Sequence, residues 1–307
     1  MTAPGAMLAW ADLWLRFWDN AFYQQALLGG LAVALMCSVL SVFVVLKRMA
    51  FIGQGISHAA FGGFGAAVLA QALLPAMESV LARDLIVACF CVITALGIGC
   101  LSRRGKLSED TAIGIAMVAA MALGVLLMER AAREPGYVPP PLHAVLFGDI
   151  LFITQQEVWT VWIMAALIVA AVAAAFKELV FFAFDEEAAR AFGVRTGLLY
   201  YGLLVALGLA VVAAMKTVGV ILAGALLVLP GASARLWSIR VGWVTIISAV
   251  IGLGGLALGF VLSLGLEKFS TGPLIVLTLV AILAFSYAVR ALRLALRRRR
   301  AGGRAKP

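Results

Sequence analysis

The sequence predicts an all-α, polytopic transmembrane helical bundle with about eight to nine membrane spans. Two observations carry this. Of the 307 residues, 64% are hydrophobic and 13% are charged, against roughly 25% charged in a soluble domain. The apolar residues also gather into long runs instead of alternating. A run of about 20 apolar residues crosses a hydrocarbon core of about 30 Å as a helix, which satisfies its backbone polar groups internally.

Residues 1–20 read as an N-terminal interfacial segment. Trp10, Trp14 and Trp18 recur every four residues with Leu13 and Phe17 on an adjoining face, a pattern suited to the headgroup level. No basic leader precedes an apolar core there, so no signal peptide is expected. The transmembrane domain occupies 21–296, with spans expected near 25–46, 56–74, 84–101, 111–128, 157–176, 198–215, 217–235, 242–265 and 273–292. The seventh is broken by Pro230 and several glycines, so it could enter the membrane without crossing it.

Basic residues orient the chain. Lys47 and Arg48 follow the first span, Arg103, Arg104 and Lys106 the third, and Lys177, Arg190 and Arg195 the fifth. Residues 297–307 form a basic tail with Arg297, Arg298, Arg299 and Arg300, which supplies much of the net charge of +9. After an apolar helix, such a run reads as a cytoplasmic anchor facing membrane lipid, with no nucleic acid as partner. All four groups share one side if the chain crosses nine times from an external N-terminus, which places the C-terminus in the cytoplasm. The loop 129–141, with four prolines, then lies outside. The segment 142–154 is too short to cross and reads as re-entrant or interfacial. The four cysteines, at 37, 89, 91 and 100, match no metal or redox template and read as small lipid- or helix-facing residues.

Span two carries Gly55, Ala59, Gly63 and Ala67 at four-residue spacing. Such small faces let helix backbones approach closely in lipid. Span four repeats the device with Ala112, Ala116, Ala120 and Gly124. Beside the first stripe lie Gln54, Ser57 and His58, with Gln54 and His58 on one face about 5–6 Å apart at Cβ. Polar groups inside an apolar span cost free energy unless partners compensate. Imidazole is a common ligand for divalent metals, but a lone histidine could equally hydrogen-bond a neighbouring helix. His143 is the other histidine in the chain, so no His-rich cluster exists. Lys216, between spans six and seven, reads as interfacial or as part of an outer gate. Glu109 and Asp110 open span four, where acids favour the positive helix end.

Between spans five and six, FDEEAARAFGVRTG (184–197) is short, charged and helix-forming. Asp185 is placed to cap it and Gly193 to stop it. With Glu186, Glu187, Arg190 and Phe192 it is either a docking element or an ordinary solvated helix. No phosphate-binding loop is present: 99–106 has one residue too many between its glycines and Leu107 after the lysine. If transport here is ATP-driven, the ATPase is another polypeptide. No internal repeat is evident, so a pore between two chains is expected over one built from two halves.

The blocks VVLKRMAFIGQGISHAAFGG (44–63), LSRRGKLSEDTAIGIAMVAAMALGVLL (101–127), LFGDILFIT (146–154), DEEAARAFGV (185–194) and KTVGVILAGALLVLPGASARL (216–236) resemble, in order, the metal-type ABC importer permeases for zinc, manganese or iron. The resemblance implies a channel-forming subunit, not an enzyme, of a bacterial inner-membrane importer for a divalent metal, with no tightly bound cofactor. It implies a second permease copy or paralogue, two cytoplasmic ATP-binding subunits, and an extracytoplasmic metal-binding protein. It also implies that Asp185, Glu186, Glu187, Arg190, Phe192 and Gly193 couple to the ATPase. His58 falls on the cation path, with Gln54 where the family commonly has an aspartate, and Ser57 beside it. The competing readings are an ion-coupled secondary transporter, which lacks the mid-span acids it would need, and a non-transporting membrane scaffold.

Overall fold

In hydrocarbon a chain can bend only where its backbone polar groups find other partners, so the helix ends and breaks define the architecture. A computed structural model describes residues 20–74, 79–105, 107–135, 154–266 and 270–303. Its helices are α1 (Ala21–Leu46), α2 (Ile52–Leu73), α3 (Val80–Gly105), α4 (Glu109–Ala131), α5 (Gln155–Ala174), α6 (Phe176–Phe184), α7 (Glu186–Ala191), α8 (Thr196–Leu226), α9 (Leu229–Ala234), α10 (Val241–Gly265) and α11 (Thr271–Gly303). No strand occurs among the described residues. The interfacial segment with its three tryptophans, the re-entrant candidate with His143, and the final residues of the tail lie outside those described, as do the side chains of Lys216 and Arg297 to Arg300.

Polar residues mark the ends. Asn20 accepts from the amide of Phe22 at the start of α1, and Thr154 with Glu157 forms a reciprocal capping box on α5. Ser108, not the acid pair after it, caps α4 by accepting from the amide of Thr111. α1 ends with Arg48 at φ 59°, the amide of Met49 reaching Val44 O and that of Arg48 reaching Val45 O. This is a Schellman closure with arginine where glycine is usual.

Among the described residues, eight helical stretches are long and apolar enough to cross a membrane. The seventh span of the sequence reading takes a different form. α8 is helical from Thr196 to Met215, breaks at Gly219 (φ 82°, ψ 166°), and resumes as the shorter apolar stretch Ile221–Ala234. Thr217 Oγ1 bonds to the carbonyls of Ala213 and Ala214, 3.3 and 3.2 Å away, near the carbonyl end that the break interrupts. At Val228 (φ −126°, ψ −51°) the stretch breaks again, with Pro230 opening α9. Helix of this length rises only about 21 Å. It nonetheless returns the chain: Val218 O lies 3.9 Å from the Cβ position of Gly272, at the start of α11, while Arg235 Nη1 reaches Val45 O, 3.5 Å away, at the end of α1. Among the described residues there are thus eight long apolar helices and one short, broken return.

That return brings the basic groups together. Lys47, Arg103, Arg235 and Arg293 all sit at one end of the bundle, tied by contacts among the ends of α1, α3, α7, α9 and α11. At the opposite end Gln25 Nε2 donates to Gln155 Oε1 at 3.4 Å, joining the starts of α1 and α5.

Close packing runs through α2 and α4, though not along one four-residue stripe. Gly55 abuts Ile113 of α4, whereas Gly63 abuts Val87 and Phe90 of α3. Ala59 and Ala67 are fully buried. The tightest approach to α4 comes from Gly62 and Gly65, whose Cβ positions lie 2.7 Å from Ala120 O and 2.5 Å from Gly124 O. Two faces of α2 are therefore packed at once. Of the cysteines, Cys37 and Cys91 are buried and Cys89 and Cys100 exposed.

α1 and α10 meet through hydroxyls. Ser41 Oγ lies 3.1 Å from Ser248 Oγ, and Ser248 donates to Ser38 O at 2.7 Å. A Cβ on Gly252 would stand 1.8 Å from Ser38 Oγ. We expect Gly252→Ala to cost about 1–3 kcal/mol through overpacking. Ser38→Ala is expected to recover most of that loss, because Ser38 Oγ is the principal obstruction and has no hydrogen-bond partner of its own. Thermal melts of the single and double variants in detergent check the pair.

Candidate translocation and coupling sites

Two polar clusters interrupt the apolar bundle. The first sits at the start of α2, where Ile52, Gly53 and Gly55 to Ser57 are buried while Gln54 and His58 are half-buried. One helical turn apart, Gln54 Nε2 and His58 Nε2 lie 2.7 Å from each other. Which of them donates depends on the amide orientation and the imidazole tautomer. Either way, His58 Nδ1 is buried without a partner, and so is the fully buried Ser57 Oγ. A buried polar group left unsatisfied costs about 1–3 kcal/mol.

The broken return arm covers this turn. The Cβ position of Gly224 lies 2.8 Å from Gln54 Oε1, and that of Gly53 lies 3.1 Å from the side chain of Leu227. A larger residue at 224 would therefore displace the Gln54 amide. Gln54 and His58 are brought together directly, whereas the hydroxyl of the adjacent Ser57 bonds to neither. Among the described residues, no group of three or more His, Cys, Asp or Glu side chains converges as a metal cluster would. The oxygen and nitrogen atoms that this turn offers are neutral.

The second cluster lies at the basic end. Asp185 caps α7 by accepting from the amide of Ala188 at 2.9 Å. Gly193, at φ 84°, ends it in a Schellman closure, with the amide of Val194 reaching Ala189 O. Glu186 then grips three cations: Lys47 at 3.3 Å, Arg190 at 3.4 Å, and Arg103 through a short charge-assisted bond. Lys47 Nζ also stands 4.0 Å over the Phe182 ring, and Arg103 lies 4.1 Å over Tyr200. Tyr200 in turn donates to Glu109 Oε1 at 3.4 Å, so Glu109 faces the interior of this cluster. Glu187 and Arg190 are exposed, and Phe192 is 79% exposed while touching Phe181 at 5.8 Å between ring centres.

Sequence reasoning took Lys47 and Arg103 as membrane-side anchors and missed them as partners of Glu186. Their separation from it, by 139 and 83 positions, leaves no local spacing to read. Tyr200 was missed for the same reason. We expect Glu186→Ala to loosen α7 from the bundle, since each charge-assisted bond at partly buried positions is worth about 1–2 kcal/mol. Amide exchange across 186–191 is expected to quicken by about tenfold while exchange in α2 and α4 stays unchanged.

Comparisons with known proteins agree with this architecture. The model of the ABC 3 transport family matches residues 19–290. The manganese transport system membrane protein MntC of Listeria monocytogenes is 30% identical over 270 residues, covering 87% of this chain and 91% of its own. The protein described as "Probable iron transport system membrane protein" in Haemophilus influenzae is 32% identical over 276 residues, covering 89% and 95%. Among solved structures, PsaBC from Streptococcus pneumoniae in complex with Fab superposes with a TM-score of 0.76 at 27% identity, covering 90% of this chain and 95% of that one. With its eight long spans and its fold, the chain belongs to the ABC 3 transport family.

Proposed function

We propose that this chain is the membrane permease of an ABC importer that moves a divalent metal cation, with His58 as the first-row metal ligand on the path. The carrying observation is the His58 imidazole, oriented by Gln54 at 2.7 Å while its other ring nitrogen is buried and unpartnered. With Nε2–H donating to the Gln54 amide oxygen, Nδ1 keeps its lone pair and can coordinate a passing cation. Ser57 Oγ and the Gln54 carbonyl oxygen are neutral oxygens within the same turn. Relatives named for manganese and iron transport support the metal class.

The ligand set fits passage better than storage. Glutamine in place of a carboxylate leaves the charge of a dication uncompensated, so binding by one chain is weak. The cation is cargo, not a resident cofactor. A second permease copy or paralogue facing this helix completes the path, and an extracytoplasmic metal-binding protein delivers the ion.

ATP hydrolysis falls to two cytoplasmic subunits. The basic end is the cytoplasmic end of a multi-pass protein in the bacterial inner membrane, and 185–194 is the element that meets the ATPase. Exposed Phe192, Glu187 and Arg190 make the contact, while Asp185 and Gly193 shape the helix and Glu186 fastens it to α1 and α3. A non-transporting scaffold has no use for an oriented imidazole with an unpartnered ring nitrogen.

His58→Ala is expected to lower ATP-dependent uptake of manganese, iron or zinc into vesicles holding the complete complex by at least tenfold, with assembly intact. Uptake at the wild-type rate would leave His58 a packing residue. Gln54→Asp is expected to tighten cation binding and alter the order of metals that stimulate the reconstituted ATPase. Replacing 185–194 with a Gly/Ser linker is expected to abolish co-purification of the ATP-binding subunit, and unchanged recovery would remove the coupling role.

A further inference from the structure

A cleft of about 440 Å³ opens at the basic end, beside the Glu186 cluster, among α1, α6, α9, α10 and α11. Val45, Leu46, Val241 and Val244 form its apolar wall, and Arg235 and Arg290 stand on its flanks with Ser238 between the ends of α9 and α10. Both arginines are exposed. Arg235 reaches Val45 O at 3.5 Å, and among the described residues neither arginine is paired with a carboxylate. From Ala188 to the end of the chain, Glu267 is the sole acidic residue, and it stands 23 positions from both Val244 and Arg290 of the cleft lining. Phe184 also lines the cleft, but its neighbour Asp185 is engaged in capping α7.

The rim is built like a membrane boundary. Ile239 is 96% exposed, and Trp237 is partly exposed with Arg293 stacked 4.7 Å over its ring. A water-facing surface gains nothing from a wholly exposed isoleucine beside a tryptophan and two arginines. At the level of lipid headgroups the same set is favourable, because the ring and the aliphatic chain face the acyl boundary and the guanidinium groups face phosphate.

We propose that this cleft seats an anionic phospholipid of the leaflet at the basic end. Arg235 and Arg290 bracket the phosphate, each with a planar fork of N–H donors. Ser238 offers a hydroxyl to the headgroup, and the valine wall receives the first part of an acyl chain. A zwitterionic lipid lacks the net charge to balance the two guanidinium groups. A soluble anion leaves the apolar wall uncovered.

The test uses the purified, delipidated full chain in detergent, melted by tryptophan fluorescence with added phosphatidylglycerol, phosphatidylcholine or inorganic phosphate. Phosphatidylglycerol is expected to raise the midpoint by several degrees, with phosphatidylcholine and phosphate giving little shift. The Arg235→Gln/Arg290→Gln pair is expected to lose that shift, whereas Arg133→Gln at the opposite end keeps it. Arg290→Gln alone, on the exposed flank of α11, is expected to halve it and serves if the pair folds poorly. Equal shifts from phosphatidylcholine or from phosphate would overturn the proposal, as would a full shift in the double variant. A double variant that keeps the lipid shift but loses the ATP-binding subunit on co-purification would make the cleft a protein-docking surface instead.

Discussion

Backbone hydrogen bonding in hydrocarbon is the constraint on which this structure depends. An unpaired amide or carbonyl in the bilayer core costs several kcal/mol, so each departure from helix needs a local substitute. Just before the break at Gly219, the Thr217 hydroxyl turns back onto the carbonyls of Ala213 and Ala214. Elsewhere hydroxyls turn back on their own helices: Thr94 to Phe90 O, Thr245 to Val241 O, Thr278 to Leu274 O and Ser286 to Ile282 O. These residues are thus admitted into spans without requiring a partner helix, unlike Ser248, which donates across to Ser38 O. The exceptions are informative for that reason. Ser38, Ser57 and Ser233 hold buried hydroxyls that bond to nothing, and so does one nitrogen of His58.

Much of the fold could be read from the order of residues because the relevant forces act locally. Eight apolar runs and their basic flanks mark the spans, and Asp185 and Gly193 bound α7 in the structure. The short broken arm was partly visible, since Pro230 and the glycines weaken the seventh run. What could not be read is which helix each small residue meets. A four-residue repeat identifies a face of an isolated helix, but α2 is packed on two sides, so Gly62 and Gly65 carry the approach to α4 while Gly63 serves α3.

The two clusters differ in the same respect. Gln54 and His58 are one turn apart, so their pairing follows from helix geometry alone. The covering glycine at 224 is 170 positions distant from Gln54, and its role appears only when the return arm is placed. The Glu186 grip on Lys47 and Arg103 is equally nonlocal. Charges that look like solvated anchors in the sequence are shared by one carboxylate in the structure. Net charge is legible in composition, whereas the identity of ion-pair partners is a property of the fold.

That shared carboxylate has a mechanical meaning. Because Glu186 holds α1 through Lys47 and α3 through Arg103, α7 is pinned to two rods at once and cannot slide along either alone. On the proposed coupling role, a push on the short helix reaches the first and third spans together. α2, with its imidazole, follows α1 across residues 47–51 and is seated against α3 and α4 by its glycine contacts.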